Sequence, residues 1–370
     1  MTAAIFAAKQ QAAKVRLIEK NPNLGRKLLA TGNGRCNLTN SNCPDAADTL
    51  EFFSELGLLT REEAEGRIYP YSEQAAAVLE VLASELACLG VEILCGTEVK
   101  AIEKNGLHFM IQTEGGTFSS DAVILATGGK AGPQYGSTGD GYRFAKAFGH
   151  TVVRLMPSLV QMVSDEPFFK DLKGVRAKGR AELLRNGQVV DRETGEVQFT
   201  EDGLSGICIF NLSREYVRGD MIRIDLYPEY SGSELETLLS DRIRKLEDRS
   251  LFELLGGMLH RKLIPVVLTL LSLEGERKAS ELTHDDISGM VRQLKEWRVP
   301  IAGTKGWKEA QVTCGGVDLE ETDAATMESR LVPGLYFAGE LLNVDGKCGG
   351  YNLQWAWSSG MTAGKAAAGE

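Results

Sequence analysis

The sequence predicts an α/β chain whose parallel-sheet domain is interrupted by an antiparallel β domain and a helical domain. Three observations lead there. Helical and strand-like segments alternate over the first 150 residues, and the strand at 122–126 runs straight into Thr127-Gly128-Gly129. Strands that feed glycine turns between helices belong to parallel sheets. The texture then changes, to short apolar stretches over 152–230 and to leucines at helical spacing over 233–297. From about residue 308 the glycine-rich α/β character returns in QVTCGGVDL and GLYFAGELLNVDGKCGGYNLQWAWSSG. The expected division is therefore 1–150 with 308–370 as one domain, 151–230 as a β domain and 231–307 as a helical domain.

Each element has a local reason. Small and apolar residues over 2–13 predict a helix, and KVRLIEK at 14–20 predicts a buried strand ending on an acid. A glycine-rich basic loop, GRKLLATGNGRCN, fills 25–37. Ser72 is the expected N-cap of a helix reaching about Leu89. Strands are expected at 92–94, 99–103, 108–113 and 122–126, and GSTGDG at 136–141 opens another helix. Asn186-Gly187 and Thr194-Gly195 read as hairpin turns. Leu235, Leu238, Leu239, Ile243 and Leu246 mark one helix face. A strand at 335–338 precedes a final helix that starts at Gly349-Gly350.

Composition sets the outer bounds. With 370 residues, 43% apolar and 25% charged, the chain is neither disordered nor fibrous. The apolar run 263–271, with Pro265 inside it, falls well short of the roughly 20 residues that cross a bilayer, so no membrane partner is expected. The N-terminus lacks the basic region of a signal peptide. Seven scattered cysteines without a C-x-x-C pair favour a reducing, cytoplasmic setting. The net charge of −10 argues against a nucleic-acid partner. Four histidines without metal-like spacing predict no metal site.

The residues that carry chemistry lie at the two ends of the chain. Glu19, an acid closing a strand, is placed as in dinucleotide-binding units to receive ribose hydroxyls, although a solvated surface charge has the same signature. The glycine fingerprint that should lie about 20 residues earlier would fall at or before Met1, so the first strand of such a unit is expected to be missing. In the 25–37 loop, Arg26, Lys27 and Arg35 offer charge to a pyrophosphate or a flavin; a solvated basic loop is the alternative. Cys36 is either a reactive thiol or a packed one. Thr127 and Gly128 let the chain pass a ligand closely. Gly339 and Glu340 end a strand, and Gly350, Asn352 and Leu353 open the last helix, whose free N–H groups and partial positive charge favour an anion. Trp355 and Trp357 read as packing. His260, beside Arg261 and Lys262, either meets an acidic group or lies on a solvated face.

Taken together, LIEKNPNLGRKLLATGNGRCNLTN, VILATGG with GSTGDGYRFAKAFGH, and VTCGGV with GLYFAGELLNVDGKCGGYNLQWAWSSGMTAGKA resemble the HI0933-like (YhiN/BaiN, aminoacetone oxidase-type) FAD-binding flavoprotein family over nearly the whole chain. The resemblance implies a two-dinucleotide-binding-type, Rossmann-like FAD domain with its first strand missing, carrying the inserted β and helical domains. It implies that Glu19 holds the adenosine ribose, that Arg26, Lys27 and Asn37 lie along FAD, and that the backbone at Val99 meets the adenine. It places Thr127 and Gly128 in the dinucleotide site, and Gly339, Glu340, Gly350, Asn352 and Leu353 around the ribityl chain and isoalloxazine. Two departures stand out: the family's opening strand and GGGAAG-like turn precede the position of Met1, and Asn343 replaces a common Asp. Material expressed from Met1 is accordingly expected to be insoluble or free of cofactor.

The expected activity is FAD-dependent hydride exchange between flavin N5 and a small organic substrate, by enone reduction or amine oxidation. NAD(P)H is a possible transient donor. A relative of the fumarate reductase and ketosteroid dehydrogenase flavoproteins, a tRNA-modifying flavoprotein and a remnant that holds no FAD are the alternatives. The RNA-modifying alternative calls for a basic stripe that this acidic sequence is read as lacking. No catalytic residue and no oligomeric state is read from the sequence.

Overall fold

The computed structural model describes residues 1–11 and 14–369 and divides into two units, 1–158 with 307–370, and 159–306. In the first unit, strand Arg16–Ile18 pairs in parallel with Glu92–Leu94, and Val123–Leu125 pairs in parallel with Leu335–Phe337. The second pair joins residues more than two hundred positions apart, so the C-terminal segment pairs with a strand that precedes the insertion. Around these pairs lie two three-stranded antiparallel sheets. One contains Thr39–Asn40, Arg67–Pro70 and Thr60–Glu62, the other Val99–Asn105, His108–Thr113 and Gly116–Ser120. Strands Val152–Ser158 and Val312–Val317, which flank the insertion, pair antiparallel. A side chain at Gly316 would stand 2.7 Å from the Leu341 carbonyl oxygen, so only glycine lets that strand pass.

Helix Ala75–Cys88 buries Ala75, Val78, Leu82 and Leu86, the one-face spacing of an amphipathic helix. Its N-cap is Gln74 rather than the expected Ser72, and no side chain caps it. Helix Thr2–Lys9 is shorter than the expected 2–13, of which residues 12 and 13 lie outside the described residues. It lies against the last helix, Tyr351–Ala367, where Gly364 has no Cβ to meet the backbone of Ala3. Ile5, Phe53, Val78, Leu82 and Trp357 fill one core of this unit, and Phe109, Leu335, Phe337 and Ala363 another.

The second unit is built on a seven-stranded antiparallel sheet. In order across it run Trp297–Pro300, Met221–Asp225, Arg176–Arg185, Gln188–Thr200, Gly203–Ser205, Met162–Val163 and Gly303–Thr304. Asn186 and Gly187, both at positive φ, turn the central hairpin as expected. Thr194-Gly195 is not a turn: both residues sit inside strand Gln188–Thr200, opposite Arg180 and Gly179. A Cβ at Gly195 would make only an ordinary contact with Cys208, at 3.7 Å, so neither space nor backbone conformation demands glycine there. Helices Gly232–Lys245, Leu251–Gly256 and His284–Lys295 each start on a capping box. Their leucines share one core with Phe169, Phe199, Ile222 and Trp297 of the sheet. Among the described residues no helix is long and apolar enough to cross a membrane.

Candidate functional site

Ligands of open α/β sheets bind at the carboxyl ends of the parallel strands. Here those ends carry Glu19, then Ala126, Thr127 and Gly128, then Gly339 and Glu340. Side chains stitch them together. Lys27 Nζ donates to Glu340 Oε2 at 2.6 Å, and Glu340 Oε1 accepts from the Thr313 N–H at 2.8 Å. Thr313 Oγ1 in turn accepts from the N–H groups of Lys130 and Ala131, at 2.8 and 3.0 Å, fixing the turn that follows Thr127-Gly128-Gly129. Gly129 must be glycine, because a Cβ there would stand 2.8 Å from Glu340 Oε1. Tyr142, buried beneath, points its hydroxyl at the Glu340 carbonyl oxygen. Burial, aided by the Glu340 charge, raises its phenol well above the ordinary range.

Glu19 follows strand Arg16–Ile18, and Val99 opens the strand just beyond Thr97, whose N–H donates to the Glu19 carbonyl oxygen at 3.0 Å. Glu19 Oε1 accepts from the backbone and side-chain N–H groups of Asn21 at 2.8 and 2.7 Å. Its Oε2 has no hydrogen-bond partner among the described residues. Asn21 Oδ1 accepts from Arg26 Nη1 at 3.0 Å, and Arg26 Nη2 donates to the Gln134 carbonyl oxygen at 3.0 Å. Lys20 pairs with Asp140, the first residue of helix Asp140–Ala147, and with Thr138. Burial alone would raise the Asp140 carboxyl, but hydrogen bonds from Lys20 and Thr138 outweigh it and hold the group below its usual range. The loop after the first strand is thereby tied to the 133–140 turn.

Helix Tyr351–Ala367 forms the third wall. It begins at Gly350, at φ 103°, with no side-chain cap and no acid in its first turn. The segment 37–40 holds that end in place. With its amide oriented to match its neighbours, Asn37 Oδ1 accepts from the Gly350 N–H at 3.2 Å. Asn40 Nδ2 donates to the Gly349 carbonyl oxygen at 2.9 Å, and Gln354 Nε2 donates to Thr49 Oγ1 at 2.8 Å. A side chain on Gly350 would collide with the Thr39 carbonyl. The Asn352 amide accepts from the Gly346 N–H at 2.8 Å and donates to the Gly346 carbonyl at 2.9 Å. It therefore braces the preceding loop, leaving backbone N–H groups as what this turn presents. Leu353 packs against the core, and both polar backbone atoms of Gly339 are engaged, by Ser359 and Trp355.

The arrangement fits a bound flavin dinucleotide: an open carboxylate oxygen on Glu19, exposed strand-end residues Ala126 and Thr127 beside Gly128 at φ 72°, and an uncapped helix start without acids. Other sequence candidates serve elsewhere. Arg35 lies over the Tyr69 ring, 4.2 Å from its centroid, and pairs with Glu63 and Glu73. Cys36 is fully buried at φ 59°, and burial pushes its thiol up to about 12, so it is no thiolate nucleophile. Asn21, Thr313 and Tyr142 were missed. Thr313 stands inside VTCGGV, where the glycines drew attention away from it.

Comparisons with known proteins give the family. The sequence profile of the family described as "HI0933-like protein Rossmann domain" matches residues 42–366. The 3-dehydro-bile acid delta(4,6)-reductase of Clostridium scindens is 42% identical, over 100% of this chain and 96% of that protein. The ribosomal RNA dihydrouridine synthase of Escherichia coli is 31% identical over 95% of this chain and 91% of its own, and that of Haemophilus influenzae is 29% identical over 96% and 94%. The crystal structure of 3-ketosteroid-delta4-(5alpha)-dehydrogenase from Rhodococcus jostii RHA1 shares the fold, with a TM-score of 0.51 at 14% identity over 100% of this chain and 94% of that one. The two RNA-named relatives overturn the exclusion of nucleic acid drawn from net charge. Net charge sums the whole chain, whereas contact with a polyanion depends on the charge of one face.

Proposed function

Because the chain belongs to the HI0933-like family of FAD-dependent oxidoreductases, we propose that it is a cytoplasmic reductase that saturates a carbon–carbon double bond conjugated to a carbonyl. The names of two kinds of relative support this, since a 3-dehydro steroid with Δ4,6 unsaturation and a uridine that becomes dihydrouridine undergo the same bond change. When bound, FAD would be reduced by NAD(P)H, which becomes NAD(P)+, and would then pass the hydride to the substrate, whose second hydrogen arrives as a proton. Residues 1–150 and 308–370 carry the cofactor, and substrate choice comes from 151–230 and 231–307.

The observation that carries the proposal is the uncapped, acid-free start of helix Tyr351–Ala367, anchored by Asn37 and Asn40 at the strand ends. Its free N–H groups, with about half a positive charge, favour electron density on the ring placed there. Asn352 and Leu353 present these donors, and Gly350, whose own N–H is taken by Asn37, turns the chain into the helix beside the ring. Glu19 Oε2 accepts from ribose hydroxyls, the backbone at Val99 meets adenine, and Thr127 and Gly128 line the dinucleotide. Lys27, held by Glu340, and Arg26, held by Asn21, fix the loop along the cofactor, and Gly339 keeps the strand end close to it.

The test is to incubate FAD-loaded protein with NADH or NADPH and a 3-oxo-Δ4 steroid, and to look for product heavier by two hydrogens. Saturated product supports the proposal. Oxidation of amines with no reduction of any conjugated carbonyl substrate contradicts it.

A further inference from the structure

We propose that Arg67 sets the reduction potential of the bound flavin, its guanidinium adding a full positive charge at the start of helix Tyr351–Ala367; this rests on the reading above that the ring lies against that helix start. The placement follows from one buried amide. Asn40 is 2% exposed, and its Nδ2 donates both to the Glu65 carbonyl oxygen at 3.0 Å and to the Gly349 carbonyl oxygen at 2.9 Å. The turn at 64–66 is thereby tied to the residues that lead into the helix.

Arg67 follows that turn directly and stands opposite Asn40 in the small antiparallel sheet. Gly66, at φ 73°, leaves no room for a side chain: a Cβ would stand 2.5 Å from Ser41 Oγ and 2.7 Å from Asn40 Oδ1. Its carbonyl oxygen accepts from the Ser41 N–H at 2.8 Å. The backbone that launches Arg67 is therefore held on both sides. At the other end, a Cβ on Gly349 would lie 3.6 Å from Arg67 Nε and 3.8 Å from Arg67 Cγ. The side chain thus flanks the turn into a helix that has no acid in its first turn.

The counter-charge is the weaker member of its pair. Arg67 pairs with Glu65, whose side chain is 71% exposed against 22% for Arg67. Water screens the exposed carboxylate, whereas the partly buried guanidinium keeps more of its field inside the protein. The helix end contributes about half a positive charge, so Arg67 is the larger of the two sources. Two-electron reduction places negative charge on the N1–C2=O side of the ring, and a nearby cation favours that form over the neutral oxidised one. The oxidised ring carries no charge for Arg67 to attract. Arg67 therefore acts on the potential of the flavin more than on its retention.

The test is the reduction potential of bound FAD, read by anaerobic equilibration of FAD-loaded protein with a reference dye at constant pH. Arg67→Gln should lower the preference for reduced over oxidised FAD about tenfold, a shift of about 30 mV to the negative for a two-electron couple. Glu65→Gln removes the counter-charge and leaves Arg67 in place, so it should move the potential the opposite way by less. Arg67→Lys should recover most of the loss, and raised salt should shrink every difference. Each variant changes at most one charge, so the fixed charges of Glu340, Asp345 and Lys347 cancel in the comparison. A merely structural role would weaken flavin retention without moving the potential of the flavin that stays bound. Equal potentials in the wild-type and Arg67→Gln proteins overturn the proposal. Should Arg67→Gln shed its flavin, a Glu65→Gln potential that is unchanged or more negative overturns it instead. Wild-type protein that takes up no FAD sinks the cofactor reading, whereas potentials that shift as stated without reduction of any conjugated carbonyl sink the reductase reading alone.

Discussion

Lys27 and Glu340 meet at 2.6 Å although 313 positions separate them in the chain. The contact joins the loop after the first strand to the end of the last one, and Thr313 extends it to the turn after Gly129. Removing the Glu340 carboxylate leaves the Thr313 N–H without its acceptor and Lys27 without its counter-charge. Glu340→Ala should cost about 1–3 kcal/mol and release FAD. Denaturant unfolding and the flavin-to-protein absorbance ratio measure both. Unchanged stability with full flavin content would remove Glu340 from the account.

Gly129→Ala adds a methyl 2.8 Å from Glu340 Oε1 in a buried, already hydrogen-bonded corner. Overpacking of this kind costs about 1–3 kcal/mol, and the displaced carboxylate should release Lys27. A lowered Tm together with weaker FAD retention is expected. Gly34→Ala, where no atom lies within 4 Å of the new methyl, is the comparison. Its cost should come only from the positive φ.

His150 is buried between two partners that settle its tautomer. Ser329 Oγ accepts from the N–H groups of Leu331 and Val332, so its own hydrogen goes to His150 Nε2 at 2.7 Å. His150 Nδ1–H then faces Glu321 Oε2 at 3.1 Å. Burial, partly opposed by the Glu321 charge, lowers the His150 pKa. The folded state therefore binds fewer protons than the unfolded state, and stability should fall as pH drops below about 6.5, the unfolded value. His150→Gln should flatten that slope between about pH 6.5 and 5, read by urea unfolding at each pH. An unchanged slope would assign the acid sensitivity to other groups.

Thiol reactivity should separate the cysteines by burial. Cys36, with its thiol raised to about 12 and no exposed surface, should resist alkylation in the native protein, while exposed Cys88 and Cys95 react. Mass spectrometry after a short iodoacetamide pulse distinguishes them. Rapid native labelling of Cys36 would mean that segment 31–40 opens.

Local patterns carried much of this structure. An acid after an apolar strand located Glu19, and a strand feeding glycines located Thr127 and Gly128. Asn-Gly gave the central hairpin because type I′ geometry requires positive φ at both positions. Thr194-Gly195 reads as a turn in sequence, yet it lies within the long strand Gln188–Thr200, where cross-strand pairing with Arg180 and Gly179 outweighs the local turn preference. Asn21, Thr313 and Tyr142 were invisible because their roles depend on partners far away in the chain and no periodicity marks them. Arg67 was missed for a different reason. G-R-I-Y at 66–69 is ordinary in sequence, and only the bridging of Glu65 and Gly349 by Asn40 places it at the last helix.

The most direct measurement is a single-turnover experiment on FAD-loaded protein, reduced anaerobically and then mixed with a 3-oxo-Δ4 steroid or a uridine-containing RNA. The account predicts that the visible flavin band returns in step with one equivalent of saturated product, and that the corresponding saturated ketone leaves the flavin bleached. A reduced flavin that ignores every conjugated carbonyl offered would contradict it.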